Sequence, residues 1–193
     1  MDESLEKGLL DMEARGRALR AQLAAAGEAN ERHHQRLEEL NRANASRLRQ
    51  IIAVLGWPGV TLVGEKGAQA AWRIAMHAVA EPDFMRHCRN LIEAASERQE
   101  VPRWQFAILD DRIRVYEGRP QRFGTQLRHG PQGLEPHPIE NEARVNGMRM
   151  QAGLPPLAPT LAKARAQPQP PDAEIVRREA AEREFRRSVG WMA

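Results

Sequence analysis

A chain of 193 residues with 41% hydrophobic and 28% charged side chains has room for one modest domain plus extensions, and a mean hydropathy of −0.63 points to long solvated surfaces. Net charge is only +3 and the signs are interleaved, with nine acids and nine bases in residues 1–50; a nucleic-acid binder gathers its Lys and Arg on one face, so nucleic acid is not the expected partner despite a pI near 9.6. A lone Cys88 excludes an internal disulfide and a CxxC metal site, the start MDESLEKG lacks a signal-peptide core, and no apolar run nears the roughly 20 residues of a membrane span, which together predict a soluble cytoplasmic protein with no membrane contact.

Leu5, Leu9, Met12, Leu19 and Leu23 fall on a heptad-like stripe and predict a helix over 3–25, interrupted at Gly16 and broken near Gly27. A second helix is expected from about 29 to 55, with Leu37, Leu40, Leu48, Ile51 and Leu55 on one face, Gly56 as the stop and Trp57-Pro58 beyond it. Residues 1–50 read as an N-terminal helical arm that packs on its own domain or self-pairs, the latter a route to a homo-oligomer.

Residues 51–160 read as the core domain. Within it Val60–Gly67, β-branched at its start and bounded by glycine, suggests a brief strand or extended loop, and Ala68–Ala80 a helix. Pro82 opens the next helix, to about 98, and another follows Pro102 to about Glu117. The connection HGPQGLEPHP follows, then a short helix from about 139 to 151, ended by Gly153. Residues 161–193 comprise a proline-rich linker, AQPQPPD, and a charged helix over 173–189, capped by Asp172 and expected to be mobile or to fold on a partner. The predicted class is mainly α: a compact helical domain with an N-terminal arm and a C-terminal helix. No repeat is visible.

Three features carry chemistry. Gln69, Arg73 and His77 stand four residues apart, one polar stripe on an otherwise apolar helix. His77 is the candidate acid/base, held neutral by Arg73; the alternative is a surface stripe. Asp111 shares the stripe of Trp104, Ala107, Ile108 and Val115, which places a carboxylate at the edge of a core, either paired with an arginine or functional. Asp110 faces elsewhere and should pair with Arg114. The loop after this helix holds Arg119, Gln121, Arg122, Thr125 and Gln126, many donors and no acid, and predicts a polar or anionic small-molecule ligand near Arg119 or Arg122. The alternative has these arginines paired with Asp110, Asp111 or Glu140. Gly124-Thr125-Gln126 could orient a ligand or tie down its own loop. His33-His34 diverge on a helix and no HxxxH, HExxH or G-x-S-x-G exists, so neither a metal, a cofactor nor an elbow serine is expected.

The ordered motifs Leu55-Gly56-Trp57-Pro58, Val63-Gly64-Glu65, Ala70-Ala71-Trp72 with His77, Asp111-Arg112-Ile113, Gly118-Arg119-Pro120-Gln121, Phe123-Gly124-Thr125-Gln126, Pro138-Ile139-Glu140-Asn141 and Gly153-Leu154-Pro155-Pro156-Leu157 resemble a family of uncharacterised bacterial proteins classed as a domain of unknown function, over roughly 40–160. The resemblance implies that His77, Asp111, Arg112, Gln121, Thr125, Gln126 and Glu140 converge on one pocket. Met76, Val79, Phe123 and Asn141 depart from the family pattern, which has Gln, Asp, Tyr and an acid there. The leading expectation is a small enzyme with His77 as acid/base, Asp111 orienting it or pairing with Arg112, and residues 119–126 holding the substrate; the alternative is a non-catalytic helical interaction or regulatory module.

Overall fold

The structure, a computed structural model, describes residues 1–27, 34–130 and 133–192. Among them the chain is mainly α, with eight helices and one two-stranded sheet: α1 Glu3–Ala25, α2 Gln35–Leu55, α3 Val60–His77, α4 Pro82–Glu97, α5 Arg103–Tyr116, β1 Leu127–Gly130, β2 Gly133–Pro136, α6 Val145–Gln151, α7 Leu157–Arg165 and α8 Asp172–Ser188. The expected start of the second helix near residue 29, like His33, lies outside the described residues. None of the described helices is long and apolar enough to cross a membrane.

The helix α3 organises the core. Ala68, Ala70, Ala71 and Ala75 are buried along it, and such short side chains let α1 and α2 pack close to its axis. Leu9 and Leu23 of α1 and Leu48, Ile51 and Ile52 of α2 are buried, so the leucine stripes of the N-terminal helices are spent largely inside the chain. The helices α4 and α5 pack on each other and add Met85, Cys88, Ile92, Phe106 and Leu109. Burial pushes the Cys88 thiol up to about 12, which leaves it an inert apolar group.

Three expectations need correction. Val60–Gly67 is helix, because Glu100 caps its start: the Glu100 carboxylate accepts from Thr61 N at 2.9 Å and Thr61 Oγ1 at 2.7 Å, and Val60 N donates to Glu100 O at 2.9 Å. Gly64, at φ 67°, then kinks the helix, a left-handed conformation that suits glycine. Part of HGPQGLEPHP is not a plain connection: β1 and β2 pair antiparallel, with Arg128 directly opposite Glu135 and bound to it at 2.9 and 2.8 Å; residues 131 and 132 are outside the described residues. A seventh helix, α7, follows Pro155-Pro156, ahead of the proline-rich linker, where no helix was expected.

The tail also differs from expectation. Pro171, not Asp172, precedes α8, and no side chain caps it. Its far end docks on the core. Phe185 and Trp191 are buried, Trp191 Nε1 donates to Val79 O at 2.7 Å, and the indole meets Tyr116 edge-on at 5.3 Å. Arg186 donates to the carbonyls of Val115 and Tyr116 at 2.7 Å, placing a cation on the C-terminal end of the α5 dipole.

Candidate functional site: a closed polar knot and an arginine-lined cleft

Asp111 is wholly buried on α5, yet its partners are not arginines. Its carboxylate accepts from Arg122 N at 2.7 Å, Phe123 N at 3.0 Å, Thr125 N at 2.9 Å and Thr125 Oγ1 at 2.9 Å. Burial pushes this carboxyl above its ordinary range, while the hydrogen bonds pull it back. The group therefore ties the 122–125 loop to α5, with no lone pair aimed at a ligand space. Gly124 holds φ 65° in that loop, and a Cβ there would meet Leu157 Cδ1 at 3.1 Å and Ile139 Cδ1 at 3.3 Å.

Gln121 completes the knot from the same side of the chain. It is fully buried; Nε2 donates to Gln126 O at 2.9 Å and His137 O at 2.8 Å, and Oε1 accepts from Gln126 N at 2.9 Å. Arg149 closes the other side. Its Nη1 donates to Phe123 O at 2.7 Å and Gly124 O at 3.3 Å, Nε to Pro155 O at 2.6 Å, and Nη2 to Thr160 Oγ1 at 3.2 Å. Four backbone or hydroxyl partners satisfy a guanidinium that is only 2% exposed. Arg149 was not singled out from sequence, although Val145, Arg149 and Ala152 share the buried face of α6 at helical spacing.

The expected arginines of the loop are already engaged. Arg119 is exposed and its Nη1 donates to Glu117 at 3.0 Å. Arg122 lies 4.0 Å from Asp110 and 3.9 Å from Glu140, over the Phe123 ring. Asp110 takes Arg114 at 3.3 Å, as its spacing predicted, and Arg89 at 3.4 Å. Glu140 is exposed beside Arg114 and Arg122. These four arginines and three acids form a network in which opposite charges face one another.

An arginine-lined cleft lies one step further round. A cavity of about 400 Å³ opens between α5, the hairpin and α8, lined by Arg112, Gln126, Arg128, His129, His137 and a face of α8. Five arginines line it against two glutamates, Glu179 and Glu182. Arg128 is held by Glu135, Arg178 pairs with Glu174, and Arg186 sits on the α5 carbonyls. Arg112 is different: its Nη1 donates to Met76 O at 2.9 Å, its Nε is enclosed without a partner, and no carboxylate among the described residues forms an ion pair with it. Burial, with Arg128 and Arg186 beside it, pushes His137 down to about 4, so its imidazole is neutral near pH 7.

His77 does not line this cleft. It lines a separate and much smaller space, of about 10 Å³, among α1, α2 and α3, with Glu13, Arg20, Asn44 and Arg73. Burial, with Arg20, Arg112 and Arg73 nearby, pushes it down to about 3. The expected single pocket thus divides into three: Asp111, Gln121 and Thr125 in the knot, Arg112 and Gln126 on the cleft, and His77 behind Arg112. Glu140 touches the knot only through its backbone, N donating to Gln121 O at 2.8 Å, and its side chain joins none of them. The cleft residues His137, Arg183 and Arg186 were missed, though Ile175, Arg178, Glu179, Glu182, Arg183 and Arg186 fall at the spacing of one helical face.

No curated protein and no solved structure matches the chain. A model of a family of unknown function, DUF6624, matches residues 3–164, which takes in the knot and the core side of the cleft and leaves out α8. With that match covering most of its length, the chain belongs to the DUF6624 family of unknown function.

Proposed function

We propose that this chain binds a small organic anion in the cleft between α5, the hairpin and α8. The single observation that carries this reading is Arg112: a partly buried guanidinium, facing a cavity of about 400 Å³, with one backbone carbonyl as its only hydrogen-bond partner among the described residues. An uncompensated cation in a low-dielectric wall is costly, and an anionic ligand with carboxylate or phosphate geometry offsets that cost through charge-assisted hydrogen bonds. Gln126 and the neutral His137 ring supply further polar groups around it.

Acid/base catalysis on that ligand is the second reading, and one observation favours it: His137, a neutral imidazole and a weak base, lines the same cleft. His77 lacks access to that cleft and supports a different role, as the uncharged neighbour that allows Arg20, Arg73 and Arg112 to lie together. The test is calorimetric titration with inorganic phosphate. Arg112→Gln should weaken binding by about 1.5–3 kcal/mol, the worth of a hydrogen bond to a charged group, with the thermal midpoint unchanged. Equal affinity in wild type and variant would remove Arg112 from the site.

A further inference from the structure

The cleft has two walls of different origin. Its core wall, with Arg112 and Gln126 at the end of α5 and its following loop, falls within the family match at residues 3–164; its other wall is α8, which lies outside that match. The α8 wall is anchored near its C-terminal end by Arg186 on the α5 carbonyls and by Trp191 against Tyr116 and Val79. From this anchor the helix presents Arg183 to the cleft one turn back, and Arg183 has no hydrogen bond or ion pair among the described residues.

We infer that the ligand of this cleft carries two anionic groups, one met by Arg112 of the core and the other by Arg183 of α8. The inference rests on the anion-binding reading above and specifies the class of ligand. A cavity of about 400 Å³ is the size of a small-molecule site rather than of a lone ion. Guanidinium groups on separate elements, neither paired with a carboxylate among the described residues, suit a molecule long enough to reach both. Glu179 and Glu182 stand on the same α8 face and repel a bulky polyanion, which favours two localised charges over a continuous one. In this chain α8 then acts as the specificity wall: the core accepts an anion, and the tail selects for the second charge.

Matched probes test this on the full chain: pentanoate against glutarate, and propylphosphonate against its terminal bisphosphonate. In at least one pair the two-headed probe should bind at least about tenfold more tightly, the effect of one added charge-assisted contact. Arg183→Gln should abolish that advantage by costing the two-headed probe far more than its one-headed partner, with thermal midpoints confirming that the variant folds. Arg112→Gln should weaken both members of the pair. Two-headed probes that bind no better than their partners, or an Arg183→Gln variant that loses both equally, would overturn the two-charge inference alone. If no probe binds the wild type, or Arg112→Gln changes nothing, the anion-binding reading falls with it.

Discussion

Asp111 and Arg112 are adjacent in sequence and lead into two unlike regions. The knot around Asp111 is closed: three backbone N–H groups, one hydroxyl, a buried glutamine and a buried arginine satisfy one another. The cleft beside Arg112 is open, and its positive charge exceeds what its own glutamates can meet. Both are rich in the residue types that sequence reading associates with binding. What separates them is whether the hydrogen-bonding capacity is already used, since a polar group satisfied within the fold is scaffold and one left over is available to a ligand.

The largest effect should come from opening the knot. Asp111→Ala leaves three backbone donors and the Thr125 hydroxyl without their acceptor. At roughly 1–3 kcal/mol for each unsatisfied buried donor, the loss should reach about 4 kcal/mol or more. Urea denaturation followed by circular dichroism measures it; a cost below about 1 kcal/mol would show that the knot does not hold the loop.

Next comes the anchor of the cleft's outer wall. Trp191→Ala removes a buried indole, its hydrogen bond to Val79 and its contact with Tyr116, and should cost about 3 kcal/mol. The same variant should increase hydrogen exchange along α8 while the knot amides stay protected. Unchanged exchange in α8 would mean that the helix is held by something other than this anchor.

The third effect is a slope rather than a step. His77 has an ordinary value of 6.5 and a folded value of about 3. Above 6.5 neither state binds a proton there; below it the unfolded chain takes one that the folded chain refuses. The stability due to neutral His77 is thus present above that value and lost as pH falls toward 3, at a limiting slope of about 1.4 kcal/mol per pH unit. His137, lowered to about 4, acts in the same direction. His77→Gln should flatten the acid limb of a stability-versus-pH curve, and an unaltered limb would assign that loss elsewhere.

Much of the fold was legible because its signals are local. The stripe of Leu5, Leu9 and Met12, the stop at Gly56, and the prolines at 82 and 102 mark helices whose ends match the structure closely. The start of α3 was not, because the Glu100 carboxylate that caps it lies 39 residues away from Thr61. The hairpin needed the Arg128–Glu135 pairing, which no periodicity announces over strands of four residues. For the site, sequence singled out Asp111, Gln121, Thr125 and Gln126; Asp111, Gln121, Thr125 and the Gln126 backbone meet in the knot, while Gln126 also lines the cleft. It could not tell that their donors and acceptors would close on one another. Nor could it place α8, whose charged face reads as a solvated surface until Arg186 and Trp191 are seen to dock it against α5 and the turn after α3.

The distinction between the used and the unused polar region is tested most directly by amide and side-chain chemical-shift mapping of the full chain during titration with inorganic phosphate. The largest changes should fall on the Arg112 guanidinium, His129, the His137 ring and the cleft face of α8, with the Phe123 and Thr125 amides bound to Asp111 unmoved. Shifts concentrated on Arg122, Phe123 and Thr125, with the cleft residues silent, would contradict it.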